Sequence, residues 1–417
     1  MSKKKIRLAA IGLGGRGTGQ LDLLLKIPYI DCVAVCDKVP ERADEGVRIV
    51  KENRGENFEV RSYLDYNELF QKEKLDAVMI CSTWITHSRI AVAAMKAGCD
   101  VAIEVGGAAS VEECWQLVRT SEETGKICML LENCCYDRKE MMVYNMMRQG
   151  IFGEITHCEG GYRHDLRDEI SLGRENIHGR LYNFQRRNGE LYPTHQLGPI
   201  CKLLGVNRGN RMLYLTSMAS KSRGLNEWNR QHQPEGYDLR EFPFNCGDVV
   251  STMIKCANGE TIVLHHDCST PRPYSRNYVV EGTKGSFMEI SDTNSLLYLD
   301  SFEKKHEWQH IDGFYEQFEH PLWKWYRTEG VKAGHGGMDF LVLSAFAESV
   351  RDETPPPIDV YDTAAWMVVT CLSEQSVAMG SIPVPIPDFT NGMWIDREPF
   401  VRGRYCVDAV CDEIFEN

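Results

Sequence analysis

A glycine-rich turn, Gly12-Leu13-Gly14-Gly15-Arg16-Gly17, follows directly on the apolar run Ile6 to Ile11 and precedes helical apolar spacing at Leu21 to Lys26. Strand, GxGxxG turn and helix in that order open a dinucleotide-binding unit. The glycines permit a tight turn and close backbone approach to a pyrophosphate, whose charge then meets the helix N-terminus. Asp37 closes the next strand-like run, Cys32 to Cys36, 20 residues past Gly17, where a carboxylate accepts from ribose hydroxyls. Gly12, Gly14, Gly17 and Asp37 are therefore expected cofactor contacts. Asp37 would oppose the extra phosphate of NADP and so favours NAD, although Arg16 and Lys38 leave NADP open.

Further β-branched runs at Ala77 to Cys81, Val101 to Val105 and Ile127 to Leu131 alternate with helical spacing at Arg42 to Glu52, Ile90 to Ala97 and Val111 to Thr120. That alternation predicts a doubly wound parallel sheet, a Rossmann fold, for residues 1–133. Beyond about residue 150 come irregular stretches, then alternating runs at Leu213 to Met218, Val249 to Lys255, Thr261 to His266, Tyr278 to Gly282, Ser286 to Ile290 and Leu296 to Leu299. These predict an open, largely antiparallel sheet in a second, α+β domain spanning 134–417, which would bind substrate and mediate oligomerisation. Two helices are expected at Gly337 to Glu348 and Asp362 to Met379, on either side of Pro355-Pro356-Pro357.

A formal charge of −13 opposes binding to nucleic acid or anionic lipid, and no apolar run reaches membrane-spanning length. The N-terminus, Met1-Ser2-Lys3-Lys4-Lys5, passes into Ile6 without an apolar stretch of signal-peptide length, and the 16 cysteines read as reduced thiols. The expected compartment is the cytoplasm. Cys134-Cys135 is read as structural, and so is His265-His266-Asp267, because neighbouring strand residues face opposite sides and cannot readily share a metal ion. No metal site is expected. Trp323, Trp325 and Tyr326 read as a sugar-stacking wall, as core or as subunit interface, and His335 with Asp339, four residues apart, as support for the site or a helix cap.

This layout resembles the glucose-fructose oxidoreductase and inositol dehydrogenase superfamily, in which Glu-Lys-Pro commonly ends the fifth strand. Here the chain reads Glu104-Val105-Gly106-Gly107, so the lysine that deprotonates a sugar hydroxyl in those enzymes is missing. The blocks Gly14-Gly15-Arg16-Gly17, Trp84-Ile85-Thr86-His87, Glu132-Asn133, Gly160 to Arg167, Arg187 to Pro199, Pro271 to Arg276 and Gly334 to Asp339 resemble, in order, glycoside hydrolase family 109, the NAD-dependent α-N-acetylgalactosaminidase group. That resemblance implies NAD contacts at Arg16, Gly17, Asp37, Trp84, His87, Glu104, Val105, Asn133 and Tyr192. It implies substrate contacts at Tyr162, Arg180, Tyr192, Pro193, Thr194, His195 and Tyr274.

Direct glycoside hydrolysis needs two placed carboxylates, and such a scheme leaves a dinucleotide site beside Tyr and His clusters unexplained. NAD offers another route. Oxidation at C3 acidifies the C2 proton, the aglycone leaves by elimination, water adds, and C3 is reduced again. His195 is assigned as base for the C3 hydroxyl and Tyr162 to proton transfer at C2 or the leaving oxygen, with the two roles exchangeable. Arg180 and Tyr274 would hold sugar hydroxyls or the acetamido carbonyl. The rivals are a conventional NAD-dependent sugar or cyclitol dehydrogenase and a non-catalytic dinucleotide-binding regulator. A homo-oligomer, dimer or tetramer, is expected.

Overall fold

The computed structural model describes residues 5–332 and 334–408. The first half alternates β1 (Ile6–Ile11), α1 (Gly15–Leu24), β2 (Ile30–Cys36), α2 (Pro40–Arg54), β3 (Arg61–Tyr63), α3 (Tyr66–Lys72), β4 (Ala77–Ile80), α4 (Trp84–Lys96), β5 (Asp100–Ile103), α5 (Val111–Thr124) and β6 (Cys128–Leu130). All pairings in this sheet are parallel, in the order β3-β2-β1-β4-β5-β6. Helices cover both faces, so strands such as β4 are buried throughout and read as unbroken apolar runs. The strand order reverses between β1 and β4, which opens a crevice at their carboxyl ends. α1 begins at Gly15, six residues before the expected Leu21, because three glycines mask its helical signal.

Helix α5 is capped by Ser110, whose hydroxyl accepts from the Glu113 N–H, and α3 by Asp65. α1 differs. Its N-cap is Gly14, with no side chain to occupy the first N–H groups, so those donors remain for an anion.

The second half carries α6 (Arg138–Arg148), β7 (Ile155–Arg163), α7 (Arg167–Ser171), α8 (Arg180–Arg186), α9 (Thr194–Leu203), β8 (Met212–Ala219) and α10 (Gly224–His232). β9 (Val250–Cys256), β10 (Thr261–Asp267), β11 (Val279–Gly282), β12 (Gly285–Ser291), β13 (Asn294–Leu299) and β14 (Gln309–His310) follow. After them come α11 (Tyr315–Phe318), α12 (Pro321–Glu329), α13 (Met338–Asp352), α14 (Val360–Ala378) and β15 (Val384–Pro385). Nine strands form one sheet, β14-β13-β12-β11-β7-β10-β9-β8-β15, antiparallel except for the β7–β10 pair. The expected irregular stretch after residue 150 thus contains the middle strand of this sheet. β7 escapes notice because Gly160 and Gly161 weaken its strand signal. Both are needed: a Cβ on Gly161 would lie 2.2 Å from the His265 carbonyl oxygen, and one on Gly160 2.3 Å from Gln196 Cγ.

One face of the second sheet lies under α9 and α14. The Ser217 N–H of β8 donates to Ser376 Oγ of α14 at 2.9 Å, and the Leu130 N–H of β6 donates to Thr363 Oγ1 of the same helix at 3.1 Å. α14 therefore ties both sheets together. Trp323 and Tyr326 are buried, with the Trp323 ring N–H donating to the Tyr136 carbonyl, and they belong to the core rather than to a sugar-facing wall. His265 and His266 take opposite sides of β10, as alternation requires.

Candidate active site

At the crevice, Gly12 adopts φ +88°, and a Cβ there would sit 2.6 Å from the Cys81 carbonyl carbon. A Cβ on Gly17 would meet the Gly12 oxygen at 1.9 Å, so the turn closes only with glycine at both positions. Asp37, at the end of β2, braces this turn by accepting from the Leu13 and Val39 N–H groups at 2.7 and 2.9 Å. The uncapped α1 and a turn with glycine at four of its six positions fit a dinucleotide pyrophosphate.

Around that turn, Arg16 Nε donates to Glu104 at 2.9 Å, and its two terminal nitrogens donate to Asp339 at 2.7 and 2.9 Å. Glu104 also accepts from Gln20 at 3.0 Å and from the Val105 N–H at 3.0 Å. Asn133, just past β6, donates to Asp339 at 2.7 Å. His87 is fully buried beneath the β4–α4 turn, with Nε2 2.7 Å from the Ser82 carbonyl, and burial lowers its pKa. Gly106 is confined by Trp84, whose ring a Cβ would approach to 2.4 Å.

Next to this region stands an aromatic cage. The Tyr192 ring lies 5.3 Å from Trp84, 4.5 Å from Tyr162 and 4.9 Å from His195, centroid to centroid. Tyr274 stands 6.0 Å from Tyr162. The Arg180 guanidinium, from the first turn of α8, lies 5.0 to 5.6 Å over Trp84, Tyr162 and Tyr192. Arg180 Nε is 2.8 Å from Glu169 Oε1 but out of hydrogen-bond alignment, and Nη1 is buried without a hydrogen-bond partner among the described residues. Pro193 and Thr194 start α9 and aim His195 at the cage. Burial, despite Arg180, pushes the Tyr162 phenol up to about 12, and its oxygen lies 3.1 Å from His164 Nδ1. Tyr192 is raised further by burial and by Tyr162. All the expected substrate residues therefore converge, carried by the ends of β7, α8 and α9 and by the segment leading into β11.

Two carboxylates beneath the cage were not assigned these roles from the sequence. Glu132, fully buried, accepts from the Cys134 N–H at 3.1 Å and lies 2.8 Å from His195 Nδ1. Burial opposes its ionisation, yet the His195 charge and hydrogen bonds hold it below the usual carboxylate range. An ionised Glu132 accepts a proton carried on Nδ1, and Nε2 is the ring nitrogen outside that bond. Glu190 is the second; burial raises it to about 8, and it accepts from the Tyr192 N–H at 3.2 Å. The Glu132-Asn133 pair at the end of the last parallel strand was a visible signal for the first; nothing local marks the second.

Glu132, Cys134 and His195 also bring a carboxylate oxygen, a thiol and a ring nitrogen within 4.8 Å of one another. The Cys134 thiol is engaged by Arg276 Nη1 at 3.1 Å, so Cys134 borders the site rather than only packing. A separate cavity of about 460 Å³ is lined by residues such as Asp137, Tyr315, His335 and Met338 and by none of the cage residues.

Residues 6–131 match the oxidoreductase family NAD-binding Rossmann fold. Among solved structures, a levoglucosan dehydrogenase in complex with NADH and levoglucosan superposes with a TM-score of 0.69 at 18% identity, covering 92% of this chain and 100% of that one. An NAD binding oxidoreductase from Klebsiella pneumoniae gives 0.71 at 15% identity, covering 92% and 99%. At such identities the likeness speaks for the fold. Fold and site together define an NAD-dependent enzyme built on an oxidoreductase scaffold. Residues 136–396 match the glycosyl hydrolase 109 C-terminal domain. The chain is 39% identical to an alpha-N-acetylgalactosaminidase of Tannerella forsythia, over 94% of this chain and 88% of the relative, and 38% identical to a glycosyl hydrolase family 109 protein of Parabacteroides distasonis, over 95% and 89%. It belongs to glycoside hydrolase family 109 and is an NAD-dependent glycosidase.

Proposed function

We propose that this enzyme cleaves terminal α-N-acetylgalactosaminides or related glycosides by transient oxidation at C3, elimination, water addition and re-reduction. In this reading residues up to 133 hold NAD, those from 134 on hold the sugar, and the enzyme works in the cytoplasm, in keeping with cysteines that are free thiols among the described residues. The observation that carries it is the position of the acids. Glu132 and Glu190 lie buried under the cage, one engaged with His195 and the other raised to about 8 by burial, and Glu169 at its edge is held by Arg180, which leaves the Tyr and His groups of the cage for proton transfer. Direct hydrolysis requires two carboxylates free to protonate the leaving oxygen and to attack or activate water, whereas Glu132 and Glu190 are buried and Glu169 is held by Arg180.

NAD, when bound, supplies the acceptor for the C3 hydride and its later donor, so the redox change cancels over a turnover. His195 Nε2 takes the C3 hydroxyl proton, with the charge that develops on the ring met by Glu132. The Tyr162 oxygen moves the proton at C2 or at the leaving oxygen, and His164 Nδ1 is within reach to exchange it. Arg180 and Tyr274 orient sugar hydroxyls or the acetamido carbonyl. Turnover of an aryl α-N-acetylgalactosaminide in deuterated water is expected to place deuterium at C2 of the released sugar without net NADH. Product lacking deuterium at C2 would overturn the elimination route, and NADH accumulating in step with substrate loss would favour a conventional sugar dehydrogenase.

A homo-oligomer belongs to the same reading. Tyr214, Met218 and Met253 lie exposed on adjacent strands of the second sheet's open face, 45%, 67% and 53% accessible, and a second copy can cover them. Met253→Glu is expected to shift the molar mass measured by light scattering toward the monomer. A wild-type monomer, or an unchanged mass in the variant, removes that face as the interface.

A further inference from the structure

The segment Gly334-His335-Gly336-Gly337 has four consecutive residues at positive φ: 103°, 43°, 68° and 108°. Three are glycines, which adopt this region without a Cβ penalty, and the fourth is strained. The turn is also tightly enclosed. A Cβ on Gly334 would lie 2.5 Å from Leu23 of α1, and one on Gly337 2.5 Å from Val331 and 2.9 Å from Tyr326. Its product is the placement of Asp339 on the first turn of α13, 2% exposed and pressed toward the glycine turn of the cofactor half.

There Asp339 gathers three partners. It takes both terminal nitrogens of Arg16, accepts from the Asn133 amide at 2.7 Å, and lies 2.7 Å from His335 Nδ1. Burial works against the charge, yet hydrogen bonds from His335 and Arg16 hold its carboxyl well below the usual range. Arg16 and Asn133 come from opposite ends of the dinucleotide half, the start of α1 and the end of β6. Without Asp339, Arg16 keeps the Nε bond to Glu104 and the 3.1 Å contact of Nη1 with His335 Nδ1 but loses its bidentate carboxylate, and the Asn133 amide loses this acceptor.

We propose that Asp339 is a positioning residue for the cofactor. It sets the Arg16 guanidinium and the Asn133 carboxamide at the mouth of the NAD cleft, so that dinucleotide affinity depends on a carboxylate delivered by the far half of the chain. The inference rests on the reading that Arg16 and Asn133 contact NAD.

The test is calorimetric titration of NAD into the full-length protein, freed of dinucleotide, as wild type, Asp339→Asn, Arg16→Gln and the double variant. Wild type is expected to bind. Asp339→Asn is expected to raise Kd by about 10- to 100-fold, the range for losing charge-assisted hydrogen bonds. The loss is expected to be smaller when Arg16 is already Gln, since coupled residues are non-additive. Tighter or unchanged binding by Asp339→Asn overturns the proposal, and so does a full multiplicative loss in the double variant. Failure of the wild type to bind NAD overturns the cofactor reading beneath it, which separates the two failures. If Asp339→Asn does not fold, as judged by its thermal melt, Asp339→Glu takes its place. That variant keeps the charge and displaces the oxygens, and the same loss is expected; wild-type affinity overturns the proposal.

Discussion

His195→Ala is expected to lower kcat about 10²- to 10⁴-fold, the usual worth of a positioned acid–base group, while NAD remains bound. The ring stands at the start of α9, 4.9 Å from Tyr192 and 5.5 Å from Tyr162, and its Nδ1 is committed to Glu132. Alanine keeps the backbone of that helix start and removes the ring, and with it the Glu132 partner. Tyr162→Phe is the companion, since phenylalanine preserves the ring packing against Tyr192 and Tyr274 and deletes the oxygen that faces His164 at 3.1 Å. A loss of similar order, with KM for the glycoside little changed, is expected there too. Full activity in either variant, measured by aglycone release with NAD supplied, removes that residue from the mechanism.

Glu132→Gln is expected to cost kcat about 10²- to 10⁴-fold with cofactor affinity retained. Glutamine has nearly the same shape and can still accept the Cys134 N–H, but it carries no charge to stabilise a protonated His195. The substitution also has a stability signature. Glu132 is held below its ordinary value in the folded chain, so its contribution is fully present above the unfolded carboxylate range and lost as pH falls through the lowered folded value. The variant lacks that dependence, and its melting temperature is expected to fall less steeply on acidification than that of the wild type. Equal acid slopes together with unimpaired kcat would show Glu132 to be packing alone.

Legibility in the sequence was uneven for identifiable reasons. The first sheet was readable because its parallel strands are buried on both faces and therefore appear as apolar runs separated by helical spacing. β3 passed unnoticed, being three residues at the sheet edge with two of them exposed. β7 was hidden by its own glycines, which the structure requires for close approach to His265 and Gln196. The helices that aim the cage were not read as elements at all, α8 because a short polar helix gives little periodicity and α9 because it is buried nearly all round and carries Gly198-Pro199 inside it; their site residues were found through the family blocks instead. Cys134 was read as structural and proves to border Glu132 and His195.

What the chain order determined alone was the dinucleotide turn. Gly12, Gly14, Gly17 and Asp37 all lie within 26 residues, and short-range steric rules decide what such a stretch can do. The partners that make the site work were decided elsewhere. His195 meets Glu132 across 63 residues, and Arg16 meets Asp339 across 323. Local pattern could mark Glu132 and Asp339 as candidates among the 60 acidic residues in the chain, but it could not name the partner of either. That choice follows from the packing of α9 and α13 against the carboxyl ends of the first sheet, which holds a donor against each of these two buried carboxylates.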